Sequence, residues 1–109
     1  MAKTLHVNYE GATYTLEYTR ETIALMEKQG FRIQDVEDKP ISTLPVLFAG
    51  AFLAHHRKIK GGVISKIFEK ITDKPGLIAK LGEMYAEPLE TLFDDPEEDE
   101  GNATWGADF

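Results

Sequence analysis

Hydrophobic and polar residues alternate at the start of this chain. Leu5, Val7 and Tyr9 alternate with polar residues, and the alternation resumes over 14–18 after the connection Glu10-Gly11-Ala12. Period-two alternation around a glycine-containing connection predicts a β-hairpin with one apolar face. An isolated two-stranded hairpin is marginally stable in water, so we expect it to pack on the segments that follow.

Beyond residue 18 the apolar positions recur at helical spacing, which predicts four helices. Thr19 is a suitable N-cap for the first and Gly30 a suitable stop, while Pro88 is expected to kink or split the last. Residues 31–41 predict a loop, with a short strand at Phe31–Ile33 as the alternative. The predicted helices cover 20–29, 43–54 with Thr43-Leu44-Pro45 as the opening, 63–72 and 77–93.

The stretch 46–54 is apolar on every side, which predicts a central buried helix, with Phe52 and Leu53 in the core. It is too short to span a bilayer. The fold class is therefore α+β and mostly α, a hairpin packed on a bundle of about four helices. We predict a folded domain over 1–93 and a disordered acidic tail over 94–109.

The charge distribution supports this division. All 12 Lys and Arg residues lie in 1–93, together with 12 of the 19 Asp and Glu residues, so the net charge of −7 belongs to the last segment. Such an acidic run repels itself and does not build a core. A neutral body with an acidic tail argues against nucleic acid and against anionic membranes as partners, because both require clustered basic residues.

No residue constellation specifies a reaction or a cofactor. His55 and His56 are adjacent, and helical neighbours point about 100° apart, so they are a poor chelating pair. We expect them to favour the end of the second helix electrostatically or to form a contact surface. Gly61-Gly62 lacks the Lys-Ser/Thr of a phosphate loop and is interpreted as a hinge. The absence of cysteine and of an N-terminal apolar stretch fits a cytoplasmic protein.

The candidate partner-binding residues lie on the last two predicted helices and in the tail. Trp105 and Phe109 follow the acidic run and are expected to dock, either on the chain's own body or on another protein, as aromatic anchors do; an idle tail is the alternative. The remaining candidates lie on apolar helix faces that a partner could cover: Ile67, Ile71, Leu81, Met84, Tyr85 and Leu89.

Several segments of the chain match one known pattern, and the most specific is the central block from Leu44 to His56. The other segments are Val7–Gly11, Tyr14–Arg20, Met26–Phe31, Leu81–Leu92 and, after the acids, Gly101–Trp105. Together they resemble the phage tail assembly chaperones of tailed phages and prophages of Gram-positive bacteria, and the similarity extends over essentially the whole chain.

This resemblance implies a non-enzymatic cytoplasmic protein without a cofactor. Its implied partners are the tape-measure protein, which it would keep soluble, and tail-tube subunits, which it would help recruit. Self-association is a further expectation, since a long client offers room for many copies. The main alternative is an acidic inhibitor or nucleic-acid mimic acting on a host protein; a small enzyme is a third. Mimics spread acids over the folded surface, whereas here the body is neutral.

The charge division generates a first prediction. Truncation after Phe93 should leave the melting temperature within a few degrees of the full chain, because exposed polar segments contribute little to stability. Thermal unfolding followed by circular dichroism measures this. Loss of the cooperative transition in the truncated chain would show that the tail is structural.

Overall fold

A computed structural model describes residues 3–94, 101 and 103–109. Residues 95–100 of the predicted acidic tail lie outside this range, as does Asn102. The described residues form an α+β, mostly helical fold, with the N-terminal hairpin packed on the helices as predicted. The elements are β1 Thr4–Tyr9, β2 Ala12–Glu17, α1 Arg20–Lys28, α2 Asp35–Asp38, α3 Pro40–Gly50, α4 Gly61–Lys70 and α5 Lys74–Thr91.

The hairpin follows the alternation of its sequence. The strands are antiparallel, with Val7 opposite Tyr14 and Leu5 opposite Leu16. The two-residue turn has positive φ at Glu10 (49°) and Gly11 (80°), the combination that suits a right-handed hairpin twist. The apolar residues of both strands consequently share one face, which covers the core.

Helix α1 has the predicted ends. The Thr19 hydroxyl accepts a hydrogen bond from the Thr22 backbone N–H, and the Thr22 hydroxyl accepts one from the Thr19 N–H. Gly30 follows the helix with φ of 93°, a left-handed conformation that glycine adopts at little cost. Ile23 and Met26 face the core.

Residues 31–41 differ from the prediction. No described residue there forms a strand; Phe31 is buried in an irregular segment, and the single helical turn α2 follows. Helix α3 then begins at Pro40 rather than at Thr43, because proline at the first helical position has a suitable φ and needs no N–H partner. Pro45 therefore lies inside the helix instead of in its first turn.

Helix α3 ends at Gly50 rather than at residue 54. Three of its last carbonyls, those of Phe48, Ala49 and Gly50, accept hydrogen bonds from the N–H groups of residues 51–53. The fourth, that of Leu47, accepts a bond from the Tyr18 hydroxyl. The helix can end here because hydrogen bonds from the N–H three residues later, as in a 3₁₀ turn, and the Tyr18 side chain satisfy these carbonyls.

The last two helices begin earlier than predicted. Gly61 and Gly62 form the first turn of α4 instead of a hinge, and Ile71 follows the helix in an extended conformation. Asp73 caps α5 by accepting a bond from the Gly76 N–H, so the predicted turn at 73–76 is the helix start. Helix α5 is continuous through Pro88, not split by it.

Aromatic rings on or beside α3, α4 and α5 contact one another in the core. Phe48 and Phe52 are stacked edge to face, with ring centroids 5.1 Å apart, and Phe48 also contacts Phe68 of α4. On the other side Tyr85 of α5 contacts both Tyr18 and Phe31. No helix of the described residues combines the length and apolar character needed to cross a membrane.

The burial of 51–54 generates a second prediction. Phe52 is 1% exposed and Leu53 only partly buried, so Phe52→Ala should cost about 3–5 kcal/mol and Leu53→Ala clearly less. Ile41→Ala, at a position 92% exposed, is the control and should change little. Urea unfolding measures the three values. Equal costs for Phe52→Ala and Ile41→Ala would contradict this core.

Tyr18 generates a third prediction, on pH. Burial, and next the neighbouring Tyr85, raise the pKa of Tyr18 well above its ordinary value of 10.0. The folded chain therefore keeps this proton while the unfolded chain loses it above pH 10. Stability should consequently fall as pH rises, by up to about 1.4 kcal/mol per pH unit from this group.

Tyr18→Phe should remove this contribution, so its unfolding free energy should decline less steeply between pH 10 and 11. At pH 7 the variant should lose about 1–3 kcal/mol, because the Leu47 carbonyl is left without the hydroxyl. Urea titrations at each pH provide both quantities. An unchanged alkaline slope would show that Tyr18 is not the group responsible.

Candidate partner-binding site

The structure separates the candidate binding residues into two groups. Ile67 and Leu81 are 1% exposed, Met84 is 4% and Tyr85 is 3% exposed, so these four pack in the core and do not line a surface. The faces of α4 and α5 that carry them cover other elements of the same chain. Sequence periodicity identifies an apolar face, but it does not show whether the chain itself covers that face.

The other four candidates reach the surface. Ile71 is partly buried, Leu89 is exposed at the C-terminal half of α5, and Trp105 is 89% exposed. Phe109 is fully exposed. Leu92 and Phe93, just beyond α5, are exposed as well and were not among the predicted residues. Partner binding by these residues stays a prediction.

An apolar groove lies where α2, the end of α3 and α5 meet; we call it the α2–α5 groove. Its volume is about 420 Å³. It has the size and character of a seat for one or two apolar side chains. The residues that line it are Ile33, Gln34, Val36, Glu37, Leu47, Ile78 and Gly82. The sequence did not indicate this groove, because 31–41 predicted a loop and α2 forms one of its walls.

Gly82 leaves the α5 wall of this groove without a side chain at its position. It lies in the middle of α5, is exposed, and a side-chain methyl there would meet no atom within 4 Å. Glycine inside a helix costs about 1 kcal/mol relative to alanine. Nothing in the described part of the chain requires a glycine here, so the room above the α2–α5 groove is available to a partner.

A second groove runs along β1, and we call it the β1-edge groove. Its volume is about 610 Å³. One wall is the strand, and the other is formed by the turn between α4 and α5 and the start of α5. Its lining residues are Leu5, His6, Val7, Asn8, Lys70, Ile71, Thr72, Asp73, Gly76, Leu77 and Lys80.

The adjacent histidines hold the hairpin. The His56 Nε2 accepts a hydrogen bond from the Thr15 backbone N–H (2.9 Å), which fixes that nitrogen as the unprotonated one. The His55 Nε2 lies 2.7 Å from the Glu17 Oε1. They lie in the turns after α3 rather than at its end, so their expected role in favouring that helix end is replaced by contacts with β2. No three His, Cys, Asp or Glu side chains of the described ranges could hold a metal ion together.

Comparison with known proteins adds one match. A family model described as "Domain of unknown function (DUF5055)" matches residues 1–109. No curated protein and no solved structure matches the chain. The description of the family states neither an activity nor a partner.

Proposed function

The chain belongs to the DUF5055 family, and we propose that it is a phage tail assembly chaperone. In this role it is a non-enzymatic protein of the bacterial cytoplasm that binds the tape-measure protein and keeps it soluble. It also helps to recruit tail-tube subunits. The observation that carries the proposal is the resemblance of the whole chain to the phage tail assembly chaperones, above all in the block from Leu44 to His56.

The central block has a structural use that accounts for its apolar composition. Phe48 and Phe52 from this block sit in the core, and Ala51 and His56 hold β2 through hydrogen bonds. The block therefore mainly maintains the scaffold, and it contributes Leu47 to the lining of the α2–α5 groove. The client would therefore bind to a surface that this scaffold holds in place.

The α2–α5 groove is the surface that best fits the client. A tape-measure protein is long, helical and apolar, and a helix presents apolar side chains at intervals of three and four residues. The groove offers a seat among Ile33, Val36 and Ile78, and Gly82 leaves space for a helix to approach α5. Binding by apolar burial also agrees with the neutral charge of the body.

A fourth prediction tests the function and the groove together. Co-expressed with the tape-measure protein of its own phage, the full chain should keep that protein in the soluble fraction and co-purify with it. Gly82→Leu should reduce the recovered complex, because the new side chain adds bulk to the α5 wall of the groove. Ala79→Leu, at an exposed α5 position that does not line the groove, is the matched control.

The salt dependence of the complex distinguishes the chaperone from the acidic inhibitor. Binding by apolar burial should survive 1 M salt, where the Debye length is about 3 Å, whereas a complex held by the acidic segment should dissociate. An insoluble tape-measure protein, together with no tail protein in the purified material, would overturn the proposal. Equal recovery with Gly82→Leu and Ala79→Leu would place the client elsewhere.

A further inference from the structure

The β2 edge of the two-stranded sheet is covered by other parts of the chain, whereas the β1 edge is open. The outer edge of β2 is covered, since the Glu17 N–H donates to the Ala51 carbonyl (3.0 Å) and the Thr15 N–H donates to the His56 Nε2. By the antiparallel register, His6 lies opposite Thr15 and Thr4 opposite Glu17. The backbone groups of Thr4 and His6 therefore point away from the hairpin, and no strand of the described chain pairs with them.

The open edge lacks the features that normally prevent pairing. Edge strands are protected by lysine, proline, bulges or covering loops. The sequence of β1, Thr-Leu-His-Val-Asn-Tyr, contains no proline and no Lys, Arg, Asp or Glu. An edge of this kind is a template for an added strand.

The β1-edge groove supplies the other requirements of such a site. Leu5 of the strand and Leu77 of α5, both partly buried, give it an apolar floor. Lys70 and Lys80 stand on the opposite wall beside Asp73, and both lysines are exposed. The Lys80 Nζ also lies 3.7 Å from the Glu83 Oε2. The groove thus combines backbone hydrogen-bonding groups, apolar contact area and positive charge.

The C-terminal segment of the chain has the complementary chemistry. Residues 103–109 lie exposed and outside regular structure. In an extended strand Trp105 and Phe109 project to the same side, because side chains alternate with period two. Asp108 lies between them, and the acidic run precedes them.

We propose that residues 103–109 of a second copy of this chain add to β1 as a third strand. In this arrangement Trp105 and Phe109 cover the apolar floor of the β1-edge groove, and Asp108, the one acid of residues 103–109, lies near Lys70 and Lys80. The contact joins two different surfaces of the molecule, so it can continue from copy to copy. It goes beyond the proposed function and requires no client.

The position of the C-terminal segment favours a second copy over the chain's own tail. The β1-edge groove lies at the start of α5, and the C-terminal segment leaves from its end, about 27 Å away for 18 residues. Trp105 is 89% exposed and Phe109 is fully exposed, so the chain's own segment does not cover the groove. A second copy can supply the segment without spanning this distance.

The full-length protein offers a direct probe, because Trp105 is its sole tryptophan. As concentration rises from micromolar to millimolar, the emission of Trp105 should shift to shorter wavelength, and the mass from sedimentation should increase in parallel. Trp105→Ala should weaken the association about thirtyfold, the effect of a well-buried aromatic anchor. Lys70→Glu combined with Lys80→Glu should weaken the association at least as much. Lys28→Glu combined with Lys66→Glu, the control with the same change of charge, should not weaken it.

Mixing two defective variants tests the head-to-tail arrangement. Trp105→Ala keeps an intact groove, and Lys70→Glu/Lys80→Glu keeps an intact segment, so the mixture should form pairs that neither variant forms alone. A monomer at all concentrations, or a blue-shifted emission in a monomer, would overturn the proposal, the latter by showing docking within one chain. Equal association of the two lysine double variants would also overturn it.

Discussion

The contact between β2 and the end of α3 is the interaction on which the rest of this structure depends. A two-stranded hairpin leaves backbone groups unpaired at its edges, and a helix leaves its last carbonyls unpaired. Here the two satisfy each other: the Tyr18 hydroxyl reaches the Leu47 carbonyl, and the Glu17 N–H reaches the Ala51 carbonyl. His56 completes the contact at Thr15. The hairpin is thereby fixed over the aromatic core, and its other edge is left facing α4 and α5.

This arrangement determines which apolar residues remain available for binding. The core takes up the faces of α4 and α5, including Ile67 and Leu81, since a domain of this size needs most of its apolar residues for its own stability. Binding surfaces arise only where elements meet imperfectly, as at Gly82 in the α2–α5 groove, or where an edge stays open, as along β1. The two grooves lie on different parts of the molecule. The proposed client and a second copy would therefore not compete for the same residues.

The two proposed contacts rest on different physical terms. Burial in the α2–α5 groove is mostly apolar and depends little on salt, whereas the β1-edge groove adds backbone pairing and lysine–carboxylate attraction, which salt screens. A chain with a neutral body and a net charge of −7 suits this division. The body can cover an apolar client without repelling it, while the charged segment keeps the free protein from indiscriminate association.

The sequence by itself determined the fold class, the hairpin around the connection Glu10-Gly11-Ala12 and the cap of α1 at Thr19, because these follow from local periodicity and local hydrogen bonds. It also located the acidic segment and the exposed aromatic residues 105 and 109. Only the tertiary structure decided that α3 ends at Gly50, since its terminal carbonyls find a partner in Tyr18, which is distant in sequence. The tertiary structure also decided that four of the candidate binding residues are core and that grooves form beside Gly82 and β1. Periodicity reports that a face is apolar; which element covers it depends on long-range packing that no local pattern contains.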